Sequence, residues 1–78
     1  MELIFSEGDE GNGFYIVAQR KVKIYKISME GKKQILHIFG SGELFGEVTV
    51  FSGSLFPANA HAIEKCSLIF FPGMRSFF

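Results

Sequence analysis

Residues 39–51 read FGSGELFGEVTVF, a glycine-spaced turn followed by one acidic residue and an apolar run. The glycines of this stretch accept positive φ values and let a backbone or a ligand approach closely. The N–H groups of Gly46, Glu47 and Val48 can then point to one spot and receive an anion such as phosphate. Glu47 can accept a hydrogen bond from a neighbouring hydroxyl group. The stretch indicates an anion-binding loop on a β-scaffold, although glycines of this kind also serve in ordinary turns.

Short apolar or alternating segments recur on both sides of this stretch at intervals of about ten residues, a rhythm typical of an all-β barrel or sandwich. The alternation over residues 21–27, the turn residues at 28–32 and the apolar run at 34–39 predict a β-hairpin. Further strands are predicted over residues 14–17, 47–51, 58–63 and 67–71. The last of these is almost wholly apolar, so we expect it to be buried.

Length and composition predict a single small domain spanning residues 1–78. The chain is 47% hydrophobic and contains ten phenylalanines, which is a generous core supply for 78 residues. A domain of this size nevertheless has a stability balance close to zero. We therefore expect a homodimer or another association partner.

Charge and cysteine content exclude several classes of function. Eight basic and eight acidic residues give no net charge and no basic stripe, so we expect no direct binding to nucleic acid or to an anionic membrane. The single cysteine, Cys66, rules out an internal disulfide and suggests a buried thiol in a reducing compartment. The sequence has no signal-peptide pattern and no apolar run long enough to span a bilayer, and it predicts a cytoplasmic protein.

Several sequence blocks follow one another in a recognisable order. They are Ile4-Phe5-Ser6-Glu7-Gly8-Asp9, Phe14-Tyr15-Ile16-Val17, Val22-Lys23-Ile24-Tyr25-Lys26, Gln34-Ile35-Leu36, Gly42-Glu43-Leu44-Phe45-Gly46-Glu47, Ala58-Asn59-Ala60 and Leu68-Ile69-Phe70-Phe71. In this order and spacing the chain resembles the cyclic-nucleotide-binding sensor domain of the Crp/Fnr transcription regulators. The resemblance implies a β-jelly-roll, also called a double-stranded β-helix, with a short helical insertion that holds a phosphate.

In the Crp/Fnr regulators a dimerisation helix and a helix-turn-helix domain follow the sensor domain. This chain ends at Phe78, where that helix would begin, so we expect a truncated form that does not itself read DNA. The sequence leaves open whether the chain is a natural short protein or a fragment of a longer regulator. It also leaves open which effector and which genes are involved.

The resemblance also assigns a ligand site. In the family, a glycine and a glutamate bind the phosphate and the ribose hydroxyl, and an Arg-Ser or Arg-Thr pair neutralises the phosphate. The predicted ligand-binding residues are Gly46, Glu47, Val48, Pro57, Ala58 and Asn59. By spacing, Pro57 and Ala58 occupy the positions of the Arg-Ser pair, and Asn59 is a neutral neighbour.

The missing arginine changes the expected ligand. A charge-assisted contact to phosphate contributes about 1.5–3 kcal/mol, so we expect binding of cAMP to be weak or absent. Phe45, Phe51 and Phe56 are predicted to lie near the site and make it more apolar. The effector is expected to be a cyclic nucleotide, another small anion or an apolar acid.

Three functions compete at this point. The favoured one is a small-molecule sensing domain of a Crp/Fnr-type regulator, without enzyme activity. The second is a jelly-roll that has lost its ligand and serves for association. The third, a metalloenzyme of the cupin class, requires a His-x-His pair with further ligands, whereas His37 and His61 are isolated, so we expect no metal site.

Overall fold

The computed structural model describes residues 3–73, which form an antiparallel β-structure with one short helix. The strands are β1 (Leu3–Phe5), β2 (Gly13–Ile27), β3 (Lys33–Phe39), β4 (Leu44–Phe45) and β5 (Asn59–Pro72), and the helix is α1 (Glu47–Ser52). The all-β prediction is confirmed by this arrangement. None of the helices described is long and apolar enough to cross a bilayer.

Two long strands, β2 and β5, organise the sheet. They pair with each other from Gly13 and Pro72 at one end to Tyr25 and Asn59 at the other. The sheet order is β1-β5-β2-β3, and β4 pairs with β2 away from this path. The pairing of β2 with β5 is interrupted on both sides of Gln19, close to the positive φ angles of Arg20 (71°) and Glu64 (62°). These irregularities divide the sheet into an end near α1 and an end near the β2–β3 turn.

The hairpin formed by β2 and β3 confirms the prediction for residues 21–39. Its turn is closed by the N–H of Ser28, which donates to the Lys32 carbonyl oxygen at 2.9 Å. The N–H of Gly31 donates to the Ser28 carbonyl oxygen at the same distance, and Gly31 has a φ of 83°. Glycine suits this position because side chains with a Cβ atom disfavour the left-handed region.

The core lies on the inner face of the sheet, where apolar residues alternate with outward-facing polar ones. It consists of Phe5, Val17, Val22, Phe45, Phe56 and Ala60. The rings of Phe5 and Phe56 are stacked with centroids 3.7 Å apart. Fully burying a large apolar side chain contributes roughly 1.5–3 kcal/mol before conformational entropy is subtracted. A few aromatic residues therefore supply much of the stabilising burial.

Three strand predictions were wrong. Residues 14–17 and 21–27 were expected to be separate strands but form the continuous β2. Residues 47–51 were expected to form a strand but belong to α1, because left-handed glycines at Gly46 and Gly53 bracket a single helical turn. Residues 58–63 and 67–71 were expected to be separate strands but form the continuous β5.

The second half of β5 was also expected to be buried, and it is not. Ile69 and Phe70 point to opposite faces of the strand and are each 49% exposed, so the described residues cover neither face fully at this position. Cys66, expected to be buried, is half-buried on the same strand. The apolar run therefore predicted a strand correctly, but the prediction that this strand is buried was wrong.

Candidate functional site

The start of α1 creates the first wall of the candidate site. Gly46 adopts φ 86° and ψ −9°, a left-handed conformation that turns the chain from β4 into the helix. The first helical hydrogen bond is donated by the Val50 N–H to the Gly46 carbonyl oxygen at 3.3 Å. The preceding N–H groups, including those of Glu47 and Val48, are thus the ones that a helix leaves without an intrahelical acceptor.

A cavity of about 200 Å³ lies between this helix start, the segment that enters β5 and the inner face of the sheet. It is lined by Phe5, Ile24, Phe39, Phe45, Gly46, Glu47, Val48, Thr49, Phe56, Pro57 and Ala58. Five of the six residues predicted to bind ligand are therefore brought together around one space. These five are Gly46, Glu47, Val48, Pro57 and Ala58.

Asn59, the sixth predicted residue, does not line this cavity. Its side-chain oxygen accepts a hydrogen bond from the Glu7 N–H at 2.8 Å, and its amide nitrogen donates to the Tyr25 carbonyl oxygen at 3.4 Å. Both ends of the amide group are used to tie the start of β5 to neighbouring backbone. Asn59 thus has a structural role in this conformation.

The cavity has an unusual charge balance for an anion site. Among the described residues that line it, Glu47 is the one charged side chain. Arg20 is exposed and lies 3.7 Å from the Glu64 carboxylate at a different place on the sheet. Arg20 and Glu64 help to line a separate cavity of about 580 Å³. The site between α1 and β5 is therefore acidic and otherwise apolar.

Aromatic side chains form most of the remaining walls. Phe45 and Phe56, expected near the site, do line the cavity, whereas Phe51 does not and is 69% exposed. Phe5 and Phe39, which sequence reasoning missed as site residues, also contribute. Their position arises from strand pairing between distant segments, for which the local pattern gives no signal.

The two histidines lie apart from this cavity. His37 is on β3, with its ring centroid 4.3 Å from that of Phe39. His61 is on β5, and its Nδ1 atom lies 2.9 Å from the Tyr25 hydroxyl oxygen. Partial burial and the ammonium groups of Lys23 and Lys33 lower the pKa of His61. Within residues 3–73, no three His, Cys, Asp or Glu side chains are grouped in a way that could hold a metal ion.

Comparison with known proteins relates this architecture to a family. Residues 1–76 match the family model of the cyclic nucleotide-binding domain. The cyclic AMP receptor protein of Thermus thermophilus is 36% identical over 66 residues, which are 85% of this chain and 31% of that protein. Lysophospholipase nte1 of Aspergillus terreus is 34% identical over 77 residues, which are 99% of this chain and 5% of that protein.

Solved structures give the same relationship. The EAL enzyme Bd1971 in its cAMP-bound form superposes with a TM-score of 0.87 at 33% identity, covering 92% of this chain and 19% of that one. The catabolite activator protein of Thermus thermophilus gives a TM-score of 0.83 at 34% identity, covering 91% and 33%. The chain thus spans about a third or less of the length of these relatives.

These likenesses confirm the jelly-roll prediction and the resemblance to CRP-type sensor domains. The relatives include both transcription regulators and enzymes that carry such a domain. The chain belongs to the cyclic nucleotide-binding domain family.

Proposed function

We propose that this chain is the effector-sensing domain of a CRP-type regulator and binds a small molecule in the cavity between α1 and the start of β5. The observation that carries the proposal is the convergence of Gly46, Glu47, Val48, Pro57 and Ala58 on that one cavity. These residues come from two segments, 46–48 and 57–58, that are nine positions apart at their nearest, and they are the ones that the family motif assigns to its ligand. We further propose that the whole of residues 1–78 forms this one domain.

Each wall has a distinct role in this proposal. Glu47 accepts a hydrogen bond from a ligand hydroxyl group, as a carboxylate oxygen does. Gly46 is the hinge that sets the position of the Glu47 and Val48 backbone, because only glycine takes its φ of 86° without strain. Pro57 stands where the family has its phosphate-binding arginine and supplies neither a charge nor an N–H donor.

Loss of that arginine predicts weak cAMP binding. A charge-assisted hydrogen bond to phosphate contributes about 1.5–3 kcal/mol, which corresponds to roughly tenfold to hundredfold in affinity. The proposed domain therefore keeps the family's ligand cavity while binding the family's usual anion poorly.

Signalling by population shift follows from where the chain leaves the sheet. The N–H of Gly73, just after β5, donates to the Asn12 carbonyl oxygen at 2.6 Å. A Cβ placed on Gly73 would lie 3.3 Å from Val50 of α1. Val50 therefore lies beside the point where β5 ends. A ligand that favours one position of α1 would act through Val50 on a C-terminal output segment attached at that point.

Chemical-shift mapping with two ribosyl probes, cAMP and adenosine, tests the proposed site. We expect saturable shifts with at least one probe at the amides of Gly46, Glu47, Val48 and Ala58, and loss of these shifts in Glu47→Ala. Glu30→Ala, which removes the same charge at the hairpin turn, is the matched control and should leave them unchanged. Shifts that survive in Glu47→Ala, or that centre on the hairpin, would contradict this site.

Association without ligand is a second candidate, favoured by the exposed edge of the sheet. Strand β3 is the last in the order β1-β5-β2-β3, and its Ile35, Leu36 and Ile38 side chains are exposed. An apolar edge strand of this kind is a ready site for pairing with a second chain. Sedimentation velocity over a range of protein concentrations tests whether the chain forms the proposed homodimer. A monomer at every concentration would eliminate this candidate.

The remaining expectations stay proposals as well. We infer a domain that is not itself catalytic and does not contact DNA directly, on the basis of its even charge balance and the lack of a metal-ligand cluster among residues 3–73. A cytoplasmic location is proposed on the basis of the single cysteine. Retention of the chain on a heparin column at physiological salt would count against the proposed absence of direct DNA contact.

A further inference from the structure

The charge balance of the cavity between α1 and β5 narrows the class of its ligand, and the argument rests on the proposed function. A ligand that enters this space meets one carboxylate, from Glu47, and no lysine or arginine among the described lining residues. Moving a charged group out of water is costly unless an opposite charge or several hydrogen bonds receive it. A cyclic phosphodiester would bring a second negative charge into the same space.

Pro57 cannot compensate for that charge. Proline has no N–H group, so the position that would face the phosphate offers no backbone donor. The next residue, Ala58, is buried and contributes only its backbone N–H and a methyl group. The β5 side of the cavity is therefore poor in donors as well as in charge.

The helix side already contains an anion. Glu47 is the acidic residue in the first turn of α1, where a carboxylate interacts favourably with the partial positive charge of the free N–H groups. A ligand hydroxyl group would donate to the Glu47 carboxylate, so this side of the cavity suits a hydroxyl-bearing ligand.

The other walls suit a flat apolar ring. Phe5 and Phe56 are stacked 3.7 Å apart, and Phe39 and Phe45 have ring centroids 5.6 Å apart. All four rings line the cavity together with Ile24. Aromatic pairs of this kind gain both buried area and favourable ring geometry.

We propose that this site binds an uncharged, hydroxyl-bearing ligand with a planar ring, of the nucleoside class, in preference to the corresponding cyclic phosphate. The Glu47 carboxylate accepts from the ligand's hydroxyl groups, and the phenylalanine walls receive its ring. In relatives with an arginine at this position, that side chain binds the phosphate, whereas Pro57 only excludes water. Selectivity between the two ligand classes thus depends on one residue.

Calorimetric titration of the full 78-residue chain with adenosine and with cAMP tests this inference, because the two probes share the ring and the ribose and differ in the phosphate. We expect adenosine to bind at least about tenfold more tightly, because the phosphate of cAMP loses its hydration in a cavity that offers it no opposite charge. The sequence has two arginines, Arg20 and Arg75. The same ranking of the two probes is expected in Arg75→Gln.

Exchange of the single residue should reverse the ranking. Pro57→Arg is expected to tighten cAMP binding by about tenfold or more and to change adenosine binding little. Pro57→Gln restores the same backbone N–H and a long polar side chain without a charge, and it should leave adenosine the tighter ligand. Circular dichroism of each variant checks that the fold is kept.

The outcomes separate the inference from the proposed function. If cAMP binds the wild-type chain as tightly as adenosine or more tightly, the inference is overturned while the sensing site stands. If neither probe binds, both are overturned, and the association module is favoured. The relative affinities of adenosine and cAMP for the wild-type chain are sufficient to test the inference. The test therefore holds even if Pro57→Arg fails to fold.

Discussion

The two ends of the sheet differ sharply in what they bury. At the α1 end, Phe5, Phe45 and Phe56 are almost completely enclosed and also form the walls of the ligand cavity. At the hairpin end, nearly all of β3 is exposed, including Ile35 and Leu36. The difference teaches that part of the core, Phe5, Phe45 and Phe56, also forms the wall of the candidate site. Strand β3 adds hydrogen bonds but little burial, although Val22 and Tyr25 of its partner β2 are buried.

The largest expected effect comes from truncating an aromatic residue at the enclosed end. Phe56→Ala should lower the free energy of unfolding by about 3–5 kcal/mol, because it removes a buried ring and leaves a cavity beside Phe5. Leu36→Ala, an equivalent truncation on the exposed hairpin, should change it by only about 0.5 kcal/mol. Urea denaturation followed by circular dichroism measures both. Equal losses would show that the two ends share one core.

A pair of glycines separates backbone strain from ligand binding. Gly46 and Gly31 have nearly the same φ, 86° and 83°, but only Gly46 adjoins the cavity and lies near Phe56. Substituting alanine should cost about 1–2 kcal/mol of stability at either position, because both would force a side chain into the left-handed region. Binding of the ribosyl probes should weaken in Gly46→Ala alone. Equal weakening in Gly31→Ala would mean that binding follows global stability.

The bend that joins the two ends provides a change of opposite sign. Arg20 has a φ of 71°, and its contact with Glu64 is an exposed one at 3.7 Å. Such a surface ion pair contributes at most about 1 kcal/mol, whereas left-handed strain in a non-glycine residue costs about 1–3 kcal/mol. Arg20→Gly should therefore raise the stability by up to about 1 kcal/mol. Lys21→Gly, one residue along the strand, is the control and should lower the denaturation midpoint.

Sequence reasoning succeeded where the signal was local. The alternation over residues 21–27 and the turn around Gly31 were sufficient for the hairpin, because strand period and turn chemistry are read from neighbours along the chain. Gly46 and Glu47 were predicted in the same way, from a glycine followed by an acid before an apolar run, and both line the cavity.

The errors had two sources, the conformation of neighbouring glycines at α1 and, elsewhere, the positions of distant segments. The run Val48-Thr49-Val50-Phe51 consists of residues that favour strands, yet the left-handed glycines on each side make it a helix. Asn59 was expected in the site, but backbone groups of Glu7 and Tyr25 hold its amide elsewhere. Phe5 and Phe39 were missed because only strand pairing brings them to the cavity. Local composition carries no information about such pairings.

The smallest expected effect is a pH dependence at the hairpin end. The pKa of His61 is lowered, first by partial burial and then by Lys23 and Lys33, so the folded state disfavours protonated His61. The unfolded chain then binds more protons between the folded value and the ordinary value near 6.5. Stability due to this group should therefore fall as the pH drops below about 6.5, and level off below the folded pKa.

Denaturation midpoints measured between neutral and mildly acidic pH would reveal this contribution as a difference between variants, since carboxylates titrate in part of the same range. His61→Gln should flatten the dependence. Lys33→Gln should flatten it partially, because it removes one of the cations that lower the pKa of His61. Lys32→Gln, its neighbour in the sequence, should leave it unchanged. If Lys32→Gln and Lys33→Gln behaved alike, the effect would reflect the net charge of the hairpin and not the particular electrostatic effect of Lys33 on His61.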